Sequence, residues 1–313
     1  MICLVTGAAG FIASHLCRRL LKEGVFVIGV DSFNDSYPRW IKEKNIQDLL
    51  PEKDFEFIAE DLENLDLKKL FSRAECIFHL AAQAGVRTSW GQNFEVYIKN
   101  NIQTTQKLLE VAKEIPLKKF IYASSSSVYG FCPDLPMSET SPLNPLSPYG
   151  VTKLAAEQLC FLYFKNYGIP TVSLRLFTVY GPGQRPDMAF HQFFKALNAE
   201  KEITVYGDGK QTRDFTYIDD IIDAHIASLE KAKIGEVYNI GGGHQEKLEN
   251  IFPLIEKICQ KKMKIKNVER QKGDVLHTFA FIEKARKDLN YSPQTPLQEG
   301  LKEEWIWFQK LYS

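Results

Sequence analysis

The feature that most constrains this chain is a glycine-rich turn between a strand pattern and a helix pattern. The apolar run Ile2–Val5 leads through Thr6 into Gly7-Ala8-Ala9-Gly10-Phe11-Ile12-Ala13, and a helical pattern continues to Lys22. Glycine in such a turn lets backbone N–H groups at the helix N-terminus approach a pyrophosphate, and Ala13 still permits helix–strand packing. The spacing predicts a βα unit with a phosphate cradle, although tight turns also need glycine for purely structural reasons.

Short apolar runs and longer helical patterns keep alternating through the first half of the chain. This rhythm predicts an α/β fold with a doubly wound parallel sheet. With 313 residues we expect two domains, the larger from residues 1–177 plus 215–240 and the smaller, also α/β, from residues 178–214 plus 241–313. Two helical patterns, Phe94–Glu114 and Tyr149–Tyr167, are long enough to cross back over the sheet.

Composition excludes several classes of protein. The 39 basic and 39 acidic residues cancel, which argues against a general nucleic-acid or anionic-membrane binder. The six cysteines form no C-x-x-C pair and the histidines do not cluster, so we predict neither a disulfide framework nor a metal site. No apolar run approaches the roughly 18 residues of a membrane span, and we expect a cytoplasmic protein.

A carboxylate follows the second strand pattern. Asp31 lies 24 residues beyond Gly7, where it can accept hydrogen bonds from ribose hydroxyls and repel a 2′-phosphate. We therefore expect NAD rather than NADP. For this residue taken alone, a solvated acid at a strand end is the alternative.

Candidate catalytic groups begin at Tyr149. Lys153 follows four residues later, so the phenol and the ammonium share one helix face. Lowering the pKa of a phenol by ~3 units costs about 4 kcal/mol, which an ammonium and a cationic cofactor can supply together. Upstream, a strand pattern ends in Ser124-Ser125-Ser126-Ser127, at the sheet edge where open α/β sheets bind ligands. A surface pair and a serine-rich loop are the alternatives for each motif alone.

Further blocks occur in a characteristic order: Asp61-Leu62, His79–Gln83, Asn101, Arg175–Pro182, Gly207–Asp220 and Gly273-Asp274. With the cradle and the Tyr149/Lys153 pair, they resemble the extended short-chain dehydrogenase/reductase family over essentially the whole chain. Within it, the chain resembles the NAD-dependent nucleotide-sugar epimerases and dehydratases. The resemblance implies a Rossmann-type NAD-binding domain and a smaller nucleotide-sugar-binding domain.

The resemblance also implies roles for individual residues. Tyr149, Lys153 and Ser125 would be catalytic. NAD would be bound by Gly7, Gly10, Phe11, Ile12, Asp31, Asn34, Asp61, Leu62, Leu80, Ala81, Ala82, Gln83, Asn101, Tyr149, Lys153 and Phe177. The substrate would be bound by Arg87, Ser125, Ser126, Ser127, Tyr149, Thr178, Arg185, Arg213, Arg270 and Asp274, with Arg213 and Arg270 on the diphosphate.

The serine cluster also bears on the reaction. In this family, 4,6-dehydratases carry Thr-Asp-Glu where this chain has Ser125-Ser126-Ser127, because elimination needs an acid and a base besides the tyrosine. Decarboxylases usually place a glutamate at the position of Ser127. Without these carboxylates, the site is expected only to remove and return a hydride, which is epimerisation at C4 through a 4-keto sugar.

The segment Phe177–Ala189 resembles that of UDP-glucuronate 4-epimerases. Thr178 stands where relatives acting on neutral hexoses commonly have asparagine, and it could surround a C6 carboxylate together with Ser126 and Ser127. Arg185 could add positive charge there or lie at the rim. UDP-glucuronate is therefore the expected substrate, with UDP-glucose or UDP-N-acetylglucosamine as the alternative.

A non-catalytic NAD-binding sensor is a more distant alternative, disfavoured because Tyr149, Lys153 and Ser125 are all present. The family resemblance further implies tightly bound, recycled NAD and a homodimer formed through the two long helices.

Overall fold

A computed structural model describes residues 1–313. Its strands are β1 (Ile2–Thr6), β2 (Phe26–Val30), β3 (Phe55–Ile58), β4 (Cys76–His79), β5 (Lys119–Ser125), β6 (Thr171–Leu176), β7 (Thr178–Tyr180), β8 (Glu202–Tyr206), β9 (Thr212–Arg213), β10 (Phe215–Tyr217), β11 (Val237–Ile240), β12 (Glu246–Lys247) and β13 (Lys264–Val268).

The α-helices are α1 (Phe11–Lys22), α2 (Arg39–Ile46), α3 (Leu67–Phe71), α4 (Phe94–Tyr97), α5 (Thr104–Ala112), α6 (Pro148–Tyr167), α7 (Ala189–Asn198), α8 (Ile218–Glu230), α9 (Leu248–Cys259), α10 (Glu283–Leu289) and α11 (Leu297–Tyr312). No helix in this set combines the length and the apolar character that a membrane-spanning segment needs.

Seven parallel strands form the central sheet in the order β11-β6-β5-β4-β1-β2-β3. The predicted Rossmann-type doubly wound α/β fold is confirmed. The chain reverses its direction across the sheet between β1 and β4, and ligands bind beyond the carboxyl ends of strands at such a switch point. The remaining strands form two-stranded sheets, β7 with β10, β9 with β12, and β8 with β13.

Both faces of the central sheet are buried, as parallel sheets require. Along β1, Cys3 and Val5 pack into the larger apolar cluster, which also includes residues of α7, α9 and α11. Leu4 points to the opposite face, into a smaller cluster shared with α5 and α6. The larger cluster therefore continues from the sheet into the second half of the chain. Residues 237–240 return to the sheet as β11, but the expected domain boundaries themselves stay a prediction.

The expected helix Phe94–Glu114 is wrong in one respect. The chain runs as α-helix over α4, as a π-helical turn over Ile98–Gln103, and as α-helix again over α5. A π turn accommodates an extra residue without breaking the helical path, so the apolar pattern on either side does not reveal it. By contrast α6 begins where its residues dictate, since Ser147 caps it by accepting from the Gly150 N–H at 3.0 Å and Pro148 occupies its first position.

Candidate active site

The glycine turn forms an open cradle at the N-terminus of α1. Gly7 has a φ of +73°, and a Cβ there would lie 2.9 Å from the Ala81 backbone nitrogen. Gly10 precedes the helix without any side-chain cap, and the first helical turn carries no acid. Because the first N–H groups of a helix lack intrahelical acceptors, those of Phe11 and Ile12 remain available to an anion.

Asp31 closes one side of this cradle. Its carboxylate accepts the N–H of Ala9 at 3.1 Å and that of Phe33 at 2.8 Å. Burial raises the pKa of Asp31, while the Lys42 ammonium and the two N–H groups oppose the rise. Lys42, which the sequence reasoning missed, also donates to the backbone and side-chain oxygens of Asn34, both at 2.7 Å. Asp31 is thus fixed at the carboxyl end of β2, with lone pairs left for ribose hydroxyls.

The residues expected beside the two ends of the dinucleotide line the same cleft. Asp61 caps a short turn by accepting the Glu63 N–H at 3.0 Å, which places Leu62 at the wall beyond β3. Leu80, Ala81, Ala82 and Gln83 follow β4, and Phe177 lies between β6 and β7.

Asn101 lies inside the π turn and does not line the cleft. Its side chain accepts the Gln83 N–H at 2.7 Å and donates to the Gln83 carbonyl at 3.0 Å and the Thr152 hydroxyl at 2.9 Å. The Thr152 hydroxyl in turn donates to the Tyr149 carbonyl at 2.8 Å. Asn101 therefore joins the segment after β4 to the start of α6, and its expected contact with NAD stays a prediction.

Tyr149, Lys153 and Ser125 meet where β5 ends and α6 begins. Tyr149 is the second residue of α6 and packs edge-on against Tyr97, with ring centroids 6.2 Å apart. The Ser125 hydroxyl accepts the Ser127 N–H at 3.1 Å. Lys153 is only 4% exposed, and its Nζ donates to the Ala123 carbonyl at 2.5 Å and lies 4.3 Å from the Tyr122 ring centroid.

Burial is the main cause of the pKa shifts of Tyr149 and Lys153. Burial raises the pKa of Tyr149, opposed by a hydrogen bond with Ser125 and by the charge of Arg185. Burial also lowers the pKa of Lys153 to about 7. The charge that lowers the pKa of Tyr149 is that of Arg185. The expectation that Lys153 and a cationic cofactor together activate the phenol stays a prediction.

Ser126, Ser127, Thr178 and Arg185 line the same cleft as Tyr149. The Arg185 guanidinium donates to Asp187 through Nε at 3.0 Å and Nη2 at 2.8 Å. Since a guanidinium has five N–H donors, Arg185 keeps three after pairing with Asp187.

Three arginines, Arg87, Arg213 and Arg270, surround a single acid, Asp274, and the first two line the cleft. Arg87 pairs with Asp274 at 2.8 Å and stacks 4.0 Å above the centroid of the Tyr206 ring. Arg213 is held by the carbonyls of Thr212 and Leu276, and burial lowers its pKa. Arg270 lies outside the lining, where it donates to the Asp274 backbone carbonyl. Sequence reasoning missed Tyr206, although an aromatic residue just before the Gly207-Asp208-Gly209 turn could have indicated it.

The cleft runs along the carboxyl edge of the sheet with a volume of about 1250 Å³. Pockets for one small ligand usually measure ~300–1,000 Å³, so this cleft has room for two. Three features fit a dinucleotide without a 2′-phosphate. The N-terminus of α1 has no side-chain cap, a Cβ on Gly7 would collide with the backbone of Ala81, and the carboxylate of Asp31 is buried after β2.

Comparison with known proteins agrees with this geometry. The model of the NAD dependent epimerase/dehydratase family matches residues 3–241, and the chain belongs to that family. An uncharacterized UDP-glucose epimerase of Bacillus subtilis, YtcB, is 48% identical over 99% of this chain and 98% of its own length. A UDP-glucuronate 4-epimerase of Thermodesulfobacterium geofontis is 43% identical, covering 97% of this chain and 95% of its own.

A solved structure is similar throughout. The UDP-glucuronic acid 4-epimerase of Bacillus cereus, in complex with UDP-glucuronic acid and NAD, is 50% identical, with a TM-score of 0.97 and 100% coverage of both chains.

Proposed function

We propose that this chain is an NAD-dependent UDP-sugar 4-epimerase that interconverts UDP-glucuronate and UDP-galacturonate. The observation that carries the proposal is the wall of the cleft around Tyr149. Ser126, Ser127, Thr178 and Arg185 line this cleft together with Tyr149, and Asp187, the acid two residues after Arg185, is already ion-paired. Such a wall suits a C6 carboxylate and offers no free acid for elimination.

The relatives support the same reading, since two of them are named as UDP-glucuronate 4-epimerases and one was solved with UDP-glucuronic acid and NAD. In this chain the N-terminus of α1 would hold the NAD diphosphate and Asp31 the adenosine ribose. Arg87, Arg213 and Arg270 would meet the UDP end of the substrate. Bound NAD supplies an acceptor for the C4 hydride and gives the hydride back, so it should stay bound between turnovers.

The chain's own residues handle the proton and the orientation of the sugar. Tyr149, as phenolate, takes the proton of the C4 hydroxyl, and Ser125 hydrogen-bonds the same oxygen. Burial opposes this ionisation, so the positive charge of Arg185 and of the occupied cofactor site must favour it. Lys153 lines the same cleft and, in this proposal, binds the ribose hydroxyls of NAD. After oxidation, the 4-keto sugar presents its other face and Tyr149 returns the proton.

Glucuronate adds a difficulty, because its 4-keto form is a β-keto acid. Such an acid loses CO₂ readily when the bond to the carboxylate lies parallel to the carbonyl π system. We infer that Thr178, Ser126 and Ser127 hold the carboxylate so that this bond stays near the ring plane. The hydroxyls would then protect the intermediate as well as bind the substrate.

The test is to incubate the purified protein, without added NAD, with UDP-glucuronate, UDP-glucose and UDP-N-acetylglucosamine and to identify the products. Conversion of UDP-glucuronate alone is the expected result. Conversion of UDP-glucose would favour the second candidate, a neutral-hexose epimerase, which the name of the Bacillus subtilis relative suggests. A Tyr149→Phe variant should retain NAD and lose turnover, and unchanged turnover in it would refute the assigned role.

We also propose a homodimer formed through α6 and the α4–α5 segment. These helices expose large apolar side chains to solvent, among them Val96, Val151, Phe161, Leu162 and Tyr167. Exposed apolar side chains that form a patch mark interaction sites, and sedimentation of wild type against Leu162→Lys would test whether these do. The cytoplasmic location expected from the sequence stays a prediction.

A further inference from the structure

The segment Gly181–Asp187, here termed the Arg185 loop, joins β7 to α7 at the cleft wall. Its inner side rests on the phosphate cradle. The Pro182 carbonyl accepts a hydrogen bond from His15 Nε2 at 2.8 Å. Gly183 has a φ of +87°, and a Cβ there would lie 3.2 Å from Phe11 and 3.5 Å from His15. A loop of the sugar side thus touches the helix that begins at the cradle.

A residue that contacts Gly183 is also hydrogen-bonded to the backbone of the cradle. Asn45 lies beside Gly183, and its side-chain amide donates to the Ala9 carbonyl at 3.0 Å. The Ala9 N–H in turn donates to Asp31. Movement of the loop at Gly183 would therefore displace Asn45 and, through it, the backbone of Ala9 beside Asp31.

The outer side of the loop is held by α7 and α11. The Gly181 N–H donates to the buried Glu304 carboxyl at 2.8 Å. The Gln184 carbonyl accepts from His191 Nδ1 at 2.8 Å, and the Tyr312 hydroxyl donates to His191 Nε2 at 2.9 Å. With both sides held, the backbone from Gly181 to Gln184 is fixed immediately before Arg185.

We propose that His15 is a positioning residue that sets where the Arg185 guanidinium meets the sugar. The hydrogen bond from His15 is the one that joins α1 to this loop. Its acceptor, the Pro182 carbonyl, lies three residues before Arg185. Removing it leaves the Pro182 carbonyl without this donor and loosens the seat of Gly183. The inference rests on the proposed function, because it assumes that Arg185 recognises the C6 carboxylate.

The experiment measures calorimetric affinities of the NAD-loaded protein for UDP-glucuronate and UDP-glucose. A Tyr149→Phe background prevents turnover during the titration. Three variants are compared: Arg185→Met, His15→Leu, and His15→Gln, whose amide keeps a donor for the Pro182 carbonyl. Because hydrogen bonds to charged groups are strong, Arg185→Met should lower the affinity for UDP-glucuronate about tenfold or more. It should lower the affinity for UDP-glucose less than about twofold.

His15→Leu should lower the affinity for UDP-glucuronate by about five- to tenfold and leave that for UDP-glucose unchanged. His15→Gln should have an affinity for UDP-glucuronate within about twofold of the parent. A merely structural residue would weaken both sugars alike, and that result would overturn the inference. A selective loss in Arg185→Met without one in His15→Leu would overturn the inference alone. If Arg185→Met lost affinity for UDP-glucuronate and for UDP-glucose equally, the proposed recognition of the carboxylate charge would be overturned, and the inference with it.

Discussion

Lys153 combines burial with charge, and this makes its contribution to stability dependent on pH. Burial lowers its pKa from the ordinary 10.5 to about 7. Between these values the unfolded chain binds more protons than the folded chain, so stability rises with pH across this window. The penalty is greatest below pH 7 and disappears above pH 10.5. We predict that Lys153→Met abolishes this rise.

The magnitude follows from the two pKa values. At about 1.36 kcal/mol per pKa unit, the full penalty is about 5 kcal/mol and roughly 4 kcal/mol remains at pH 7. At pH 9 it falls to roughly 2 kcal/mol, so the wild type should gain about 2 kcal/mol between pH 7 and 9. Methionine replaces the apolar stem of the side chain without the charge, although it forfeits the contacts of Nζ with Ala123 and the Tyr122 ring.

Urea denaturation at pH 6 to 9.5 measures the effect, with NAD removed so that ligand binding does not add to stability. Lys165→Met is the matched control, since Lys165 is exposed on the same helix. The free energy of unfolding of the control should rise with pH as that of the wild type does, whereas Lys153→Met should lack the gain of about 2 kcal/mol between pH 7 and 9. Parallel slopes for Lys153→Met and wild type would refute the reasoning.

Three further changes test other parts of the site. Thr178→Ala should raise the ratio of UDP-pentose to epimer, measured by chromatography of the products, whereas Thr178→Ser should not; an unchanged ratio would count against carboxylate restraint. Gly7→Ala should abolish NAD retention, measured as cofactor released on denaturation, because its Cβ meets Ala81, while Gly24→Ala, at the same φ of +73° with open space, should keep NAD. Glu157→Ala should lower the free energy of unfolding by about 3–5 kcal/mol, since it leaves the buried Arg175 unpaired; a loss under about 1 kcal/mol in urea would contradict this.

Patterns that repeat locally were readable from the sequence. The glycine turn before α1, the position of Asp31 after β2 and the long helix over Tyr149–Tyr167 follow from apolar runs and glycine spacing, because these signals act within a few residues. The site residues after β4, β5 and β6 also line one cleft, since parallel strands end at a common edge.

Contacts between distant segments were not readable. Nothing in the spacing of Lys153 shows that its ammonium donates to Ala123, or that Arg185 is the charge acting on Tyr149. Likewise the seat of Gly183 on Phe11 and His15 joins segments about 170 residues apart. Such pairings depend on how the second half of the chain folds back over the first.

The π turn over Ile98–Gln103 has a consequence for insertions and deletions. Each residue of an α-helix rotates the next side chain by about 100° around the axis. Deleting one residue from this turn would let α4 and α5 merge into a regular α-helix, and Asn101 would then rotate away from Gln83 and Thr152. The length of this segment is therefore as restricted as its composition, although most of its side chains never face the cleft.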